Sequence, residues 1–348
     1  MAKPVYHSSI EGAQHGGKGL EGFLTFAKEA GAAGAQPSNY MLEDGDSGEK
    51  FKSASDIKDI FEKHGLKLDG VSGHCPFWVH TSAWTGTRSG HPFIHGPNQD
   101  KSPEELEQWY ESYLLRLMDL SAELGIKILP MFWGVTQGWE LATGYPWGFW
   151  AGPGFDLVKE GQERFATKTE KLRAHANQLG IYLAHEIHPG TAAMCAEEFG
   201  RLVDSCDGDK CLTVNADPSH CWEGEEWEAR FTHPAVADRV YGCHVKNYVV
   251  RPGVPLRKGE PNWRNRAMQF TDLGSGDINM VRYVEMLINI GYPARYMKVN
   301  GTDTAPLIAE TESNYRDPDA TAIEGIQYVR DNLCFPVAEG SFEDEMGA

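Results

Sequence analysis

Short runs rich in Val, Ile, Leu and Ala alternate along the chain with longer stretches whose apolar positions recur at helical spacing. That alternation argues for repeated βα units and against a sandwich or a helical bundle. The apolar runs predict strands near Val5–Ser8, Ala32–Gln36, Lys67–Gly73, Lys127–Phe132, Ile181–Glu186, Leu212–Asp217, Val240–His244 and Leu307–Glu310. The longer stretches predict helices over Leu20–Ala30, Ser55–His64, Pro103–Leu124, Gln162–Leu179, Ala193–Asp204, Asn279–Ile290 and Ala320–Leu333, with a short one near Pro234. Ser102-Pro103-Glu104-Glu105 offers an N-cap, a first-turn proline and early acids. Gly31, Gly65, Gly125, Gly180 and Gly291 follow helical stretches where a left-handed residue is needed.

Strand and helix alternating about eight times give an α/β fold, the (β/α)8 TIM barrel. A minimal barrel takes about 250 residues, which leaves roughly a hundred of the 348 for insertions. They concentrate in loops after strands 3, 4 and 7. Cys75–Asp100 carries Trp78, His80, Trp84, His91 and His95, and Trp133–Asp156 carries Trp133, Trp139, Trp147, Phe149 and Trp150. Tyr248–Gly276 carries Arg251, Arg257, Lys258, Trp263, Arg264 and Arg266. All three follow strand C-termini, so in a barrel they rise on one face. A single barrel domain is expected over residues 1–336, with a loose acidic tail over 337–348.

Composition narrows the functional classes. The 41% apolar and 11% aromatic content is that of a globular chain, and a formal charge of −18 disfavours nucleic acid and anionic membranes as partners. MAKPVYHSSIEG lacks the apolar core of a secretory signal, and no apolar stretch approaches a membrane span, so a soluble cytoplasmic protein is expected. Seven cysteines without a C-x-x-C pair signal neither a disulfide framework nor a zinc knuckle.

Glu186, Asp217, His244 and Glu310 sit at or just past the ends of four predicted strands, in LAHEIHP, LTVNADPSH, VYGCHVKN and PLIAETES. Three carboxylates and an imidazole are a ligand set for one divalent cation, and a parallel barrel points all its strand C-termini at one place. With no thiolate among the ligands, Mn²⁺ or Mg²⁺ is favoured, with Co²⁺, Fe²⁺ or Zn²⁺ possible. Strand alternation turns Cys243 the other way. Glu312, on the same strand face as Glu310, is an alternative ligand. The competing view is of four unrelated polar residues satisfied by caps and ion pairs; their recurrence at successive strand ends argues against it.

His188 and His220 flank the ligands and are expected to contact substrate, and Lys246 shares the strand face of His244 as an oxyanion partner. Glu186 and Glu310, from non-adjacent strands, are the expected catalytic pair. They suit removal of a proton beside a carbonyl and its return elsewhere, while a cation offsets the charge on the carbonyl oxygen. Nucleotide cofactors are not expected, because Gly16-Gly17-Lys18-Gly19 has the wrong spacing for a phosphate loop. There is no G-x-S-x-G elbow, and His185-Glu186-Ile187-His188 is not H-E-x-x-H.

E-I-H-P at Glu186, N-A-D-P-S-H at Asp217, C-H-V-K at His244 and A-E-T-E at Glu310 resemble, in order, the four ligand segments of the sugar phosphate isomerase/epimerase superfamily with xylose-isomerase-like barrels. The resemblance implies a Mn²⁺- or Mg²⁺-type centre and keto-sugar or polyol chemistry. More narrowly, HCPFWVH at His74–His80 and FWGVTQGWELATGYPWGFW at Phe132–Trp150 resemble the larger subunit of bacterial C-glycoside deglycosidases, hetero-oligomers that act on 3-oxo-glucosides of phenols. That likeness implies acidification of the C2 proton by the 3-keto group, elimination of an aromatic aglycone from C1, and a small second subunit. It also implies that Trp133 and His74 contact substrate, with His74, His80, His91 and His95 as unranked acid–base candidates for the phenol. An isomerase or epimerase of a free keto-sugar or inosose is the alternative, and a non-catalytic metal-stabilised sugar-binding protein is the third.

Overall fold

The computed structural model describes residues 4–88, 90–136, 157–222, 225–254, 260, 262–313 and 315–337. All eight expected barrel strands form, in the expected order. They are β1 (Tyr6–Glu11), β2 (Gly34–Gln36), β3 (Lys67–Leu68), β4 (Ile128–Met131), β5 (Tyr182–Glu186), β6 (Leu212–Ala216), β7 (Val240–Val245) and, after the short antiparallel hairpin β8 (Asn247–Val250) and β9 (Met268–Thr271), β10 (Ala305–Ala309). The eight form one sheet in the order β3-β2-β1-β10-β7-β6-β5-β4, every pair parallel. The segment that follows β3 meets the other outer strand, β4, where Gly73 N–H donates to Pro130 O at 2.9 Å.

β3 is shorter than expected because Gly70 adopts φ 141, a conformation closed to residues with a side chain, which interrupts the ladder. A Cβ there would stand 3.0 Å from Gln36 Nε2, so the glycine also makes room for that side chain. β1 is longer than expected and carries Ile10 and Glu11 to the end of the barrel. Ser8 and Ser9 broke the apolar run in the sequence, yet both are buried among the strands.

The helices are α1 (Gly19–Ala30), α2 (Ala54–His64), α3 (His74–Trp78), α4 (His80–Thr85), α5 (Pro103–Leu124), α6 (Leu157–Leu179), α7 (Ala196–Ser205), α8 (Trp227–Thr232), α9 (Met280–Asn289), α10 (Tyr292–Asn300) and α11 (Pro318–Tyr328). α5 begins at the expected N-cap, which the structure completes as a capping box, Ser102 Oγ accepting from Glu105 N–H and Glu105 Oε2 from Ser102 N–H. Gly31, Gly65, Gly125, Gly180 and Gly291 all take positive φ. α10 was not anticipated; it starts at once after Gly291, its Tyr292 and Tyr296 buried. Val79, Ala83, Trp84, Ile94, Leu106 and Tyr110 form a separate small core that holds the insertion after β3. The seven cysteines are free, and among the described residues no helix is long and apolar enough to cross a membrane. Trp139, Trp147, Phe149, Trp150, Arg257, Lys258 and residues 338–348 lie outside the described residues.

Candidate metal centre

Six neighbouring barrel strands each deliver a polar side chain to the same end of the sheet. Around the ring they are Gln36 from β2, Glu11 from β1, Glu310 just past β10, His244 from β7, Asp217 just past β6 and Glu186 from β5. Parallel register sets their level: Glu186 pairs with Asn215, and Ile308 with His244. All are buried, with charged groups packed where a cation or substrate must compensate them.

Local sequence explains each placement. Period-two alternation puts Glu186 and His188 on the inner side, with Ile187 buried behind, and does the same for His244 and Lys246. Cys243 points away and its Sγ approaches Pro306 O at 3.5 Å, as alternation required. In N-A-D-P-S-H, Asp217 caps a single turn over Pro218–His220: its Oδ1 accepts from Ser219 N–H at 2.8 Å, and Pro218 supplies the fixed φ of a first turn. The turn folds His220 back until its Nε2 is 3.1 Å from Asp217 Oδ2 and 3.1 Å from Glu186 Oε1.

Asp217, His244 and Glu310 are each held on one side and bare on the other, and Glu186 is held through Oε2. Asn215 Nδ2 donates to Glu186 Oε2 at 2.8 Å, and Gly242 leaves the space for Asn215, since a Cβ there would lie 2.6 Å from its Oδ1. Glu310 Oε1 accepts from Lys246 Nζ at 2.8 Å and Gln14 Nε2 at 2.9 Å. His244 Nε2 faces Gln36 Oε1 at 3.1 Å. The opposite atoms, His244 Nδ1, Glu310 Oε2, Asp217 Oδ2, His220 Nε2 and His74 Nε2, are buried without a hydrogen bond.

Yet these atoms crowd together. His244 Nδ1 lies 3.0 Å from Glu186 Oε2 and 2.8 Å from Glu310 Oε2, and His74 Nε2 lies 3.3 Å from Glu186 Oε2. Closeness without hydrogen-bonding direction is how donors look when they face a shared cation: ligands about 2.1 Å from an octahedral ion sit about 3 Å from one another. Ligand atoms of Glu186, Asp217, His244 and Glu310 all lie within 4.8 Å of one another, as do those of His74, Glu186 and His244. This buried cluster can hold a metal ion, and its carboxylate and imidazole donors suit Mn²⁺ or Mg²⁺ as well as Zn²⁺, Fe²⁺ or Co²⁺.

The electrostatics are those of a packed charge network. Burial opposes ionisation of Glu186 and Glu310, but His220, His244 and His74 hold the first below its ordinary pKa, and Lys246 and His244 the second. Burial opposes charge on Lys246 too, and Glu310 and Glu312 outweigh it. Lys246 Nζ also lies 3.0 Å from Glu312 Oε2 and 4.3 Å above the Phe270 ring. Burial, reinforced by His220, pushes His188 down; its ring packs 4.0 Å from His220 and 4.9 Å from Phe132.

Above the cluster opens a cavity of about 760 Å³. His74, His188, His220 and Lys246 line it, together with Glu186, His244, Glu310 and Glu312. Its outer wall is aromatic: Trp78, Phe93, Phe132, Trp222, Trp263 and Phe270. Trp133 is placed differently. It is buried in the core between Phe77 and Phe165, each 5.3 Å away and edge-on, and does not line the cavity.

Of the four loop histidines, only His74 reaches the cavity, its Nδ1 held by Ser72 Oγ at 2.8 Å. His80 stacks on Trp84 at 4.6 Å, and His95 is fixed between Glu43 Oε1 and Tyr110 Oη, both 2.9 Å away. His91 lies outside the lining. Glu11, Gln14, Gln36 and Trp222 escaped the sequence reading. The signal for Glu11 was available in Ile10-Glu11, which continues β1 past its two serines.

A protein-family description, "Xylose isomerase-like TIM barrel", matches residues 24–332. No curated protein matches the sequence. Among solved structures, the chain is similar to a xylose isomerase domain protein from Planctomyces limnophilus, at 16% identity and TM-score 0.58, covering 95% of each chain. It is similar also to the 3-keto-D-glucoside 4-epimerase of E. coli, at 14% identity and TM-score 0.58, covering 94% of this chain and 99% of that one. A third is the D-allulose 3-epimerase of Methylomonas sp., solved in complex with D-allulose, at 13% identity and TM-score 0.54, covering 95% and 98%. At such identities the likeness is one of fold.

Proposed function

Because the chain belongs to the xylose isomerase-like TIM barrel family, we propose that its cavity works on a keto-sugar, removing the proton on a carbon next to the ketone of a 3-oxo-glycoside so that an aromatic aglycone is eliminated. The observation that carries this reading is the union of a four-residue ligand cluster with a 760 Å³ aromatic-walled cavity. That volume lies in the upper part of the range of about 300–1,000 Å³ typical of drug-sized ligands, more than a lone monosaccharide fills.

Glu186, Asp217, His244 and Glu310 would hold the cation, Mn²⁺ by preference. When bound, it supplies positive charge beside a carbonyl oxygen and so lowers the cost of ionising the neighbouring C–H. Glu186 and Glu310 take up and return the proton. Lys246, buried and aimed into the cavity, offsets negative charge that grows on the substrate oxygen. His188, His220 and His74 orient the sugar hydroxyls, while Trp78, Phe132 and Trp222 supply flat apolar faces for the aglycone.

Epimerisation of a free keto-sugar is the second reading. Its support is the placing of Glu186 and Glu310 on β5 and just past β10, with β6 and β7 between them, so that one can remove a proton and the other return it on another face. The fold neighbours named as epimerases lend it weight. Incubating the metal-loaded protein with a 3-oxo-C-glucoside in deuterated water separates the two. Free aglycone supports elimination; deuterium at a sugar carbon with no aglycone released favours epimerisation.

A further inference from the structure

Glu11 stands level with Glu310 at the end of the adjacent strand, since the ladder pairs Ile10 with Ala309. On its other side it pairs with Gln36. Its main chain is pinned: Gly12 N–H donates to Gln36 O at 2.9 Å, and His15 N–H to Gly12 O at 3.0 Å. The side chain is 2% exposed and lines the cavity. Oε2 accepts from Ala13 N–H at 2.5 Å, whereas Oε1 has no hydrogen-bond partner. The Ser72 hydroxyl, 2.8 Å from His74 Nδ1, also favours the charged form of Glu11.

A buried carboxyl oxygen on a cavity wall without a hydrogen-bond partner is placed to take one from a bound molecule. The chemistry limits which. Glu11 is not among the carboxylates whose oxygens gather around the candidate cation position, so a second ligand role there is disfavoured. An anion would meet Glu310 at the neighbouring strand end. A hydroxyl fits, because it donates to a carboxylate and accepts from a carboxylic acid, and so is held whichever form Glu11 takes.

We propose that Glu11 is a specificity-determining residue that anchors one hydroxyl of the sugar ring at the floor of the cavity through Oε1. This rests on the reading of the cavity as a keto-sugar site, but not on whether elimination or epimerisation follows. It selects for a substrate carrying a hydroxyl at one position and against the same compound without it, since loss of that group would leave Oε1 buried and unpaired.

The test compares wild type with Glu11→Leu and Glu11→Gln on phenyl 3-oxo-C-glucoside and its monodeoxy analogues, following binding by tryptophan fluorescence and, where turnover occurs, KM and kcat. Glu11→Leu is expected to weaken binding of the parent compound by about tenfold to a hundredfold, with metal content unchanged. Glu11→Gln, which still offers a hydrogen bond, should recover most of that loss. With one monodeoxy analogue, wild type and Glu11→Leu should bind equally. Equal affinity of Glu11→Leu and wild type for the parent, or the same loss across every analogue, overturns the inference while leaving the keto-sugar reading intact. A wild type that binds none of these compounds removes both. If Glu11→Leu does not fold, Glu11→Asp, which withdraws the carboxyl by one methylene, gives the same comparison.

Discussion

Gln36 and His244 meet at 3.1 Å, Oε1 to Nε2, although β2 and β7 are separated in the sheet by β1 and β10. An amide oxygen can only accept, so the contact puts a proton on Nε2 and turns Nδ1 toward Glu186 and Glu310. Partners of this kind, which set the tautomer of a ligating histidine, are commonly worth tenfold to a hundredfold in metal affinity. Gln36→Leu should therefore weaken Mn²⁺ binding by about that factor without unfolding the barrel. Competition against a metal indicator dye measures it, and unchanged affinity would show that the contact does not set the tautomer.

Glu310→Gln keeps the shape of the side chain and removes its capacity to take a proton. Removing a general base commonly costs about 10²- to 10⁴-fold in kcat. Turnover of the variant should fall by at least a hundredfold, its circular dichroism spectrum unchanged. Full activity would take Glu310 out of the mechanism. Because Glu310 is also a proposed ligand, metal content must be measured in the same sample, and a variant that keeps metal but loses turnover isolates the proton-transfer role.

Chelation should lower thermal stability. Without a cation, Glu186, Asp217 and Glu310 are buried close together with only imidazole and Lys246 to offset them. A ligand present at a thousand times its Kd stabilises the fold by about 4 kcal/mol. Scanning calorimetry with and without a chelator should show a lower Tm for the stripped protein, restored by adding Mn²⁺. A Tm indifferent to chelator and to every divalent ion tried would count against metal binding at this cluster.

The sequence disclosed the ring of strands because apolar strand runs and glycine-terminated helices are local signals, and Glu186, Asp217, His244 and Glu310 were visible because they end such runs. Glu11 was hidden by Ser8 and Ser9, whose small hydroxyls are tolerated inside a barrel although they break an apolar pattern. Gln36 was placed at its strand end, but its contact with His244 joins residues 208 positions apart and has no local signature. Trp133 shows the converse: an aromatic in a loop suits a binding-site wall or a core plug alike, and packing against Phe77 and Phe165 decides for the plug. Likewise His80 and His95 carry acid–base chemistry in principle, but tertiary neighbours turn them away from the cavity.

His80 gives a pH dependence whose sign can be worked out. Burial, with Lys168 adding to it, pushes its pKa down to about 3 from an ordinary 6.5. Between those values the unfolded chain binds a proton that the folded chain refuses, so this contribution to stability is whole above about pH 6.5 and is lost as pH falls toward 3. At pH 5 the loss is about 2 kcal/mol. His80→Phe, which keeps a flat ring against Trp84, should remove that part of the acid sensitivity. Urea unfolding of both proteins at pH 7.5 and pH 5 checks it; an equal drop in the two would mean that His80 does not titrate in this window.

Trp78 separates an aglycone-binding wall from a merely structural one. Its Nε1 donates to Gly190 O at 3.0 Å, and its ring lies 5.5 Å from Phe93, so its position on the cavity wall is fixed before substrate arrives. Truncation to alanine removes the apolar face and leaves the ligand cluster untouched. If an aromatic aglycone rests there, Trp78→Ala should raise KM for an aryl 3-oxo-glucoside by roughly tenfold, the scale of one buried aromatic contact. For the same 3-oxo sugar without an aglycone, which has nothing to eliminate, the dissociation constant should change by less than about twofold, since that ligand buries none of the ring's apolar area. Equal losses on both compounds would mean that Trp78 shapes the site as a whole, and the preference for aryl glycosides would then have to rest on Trp222 and Phe132.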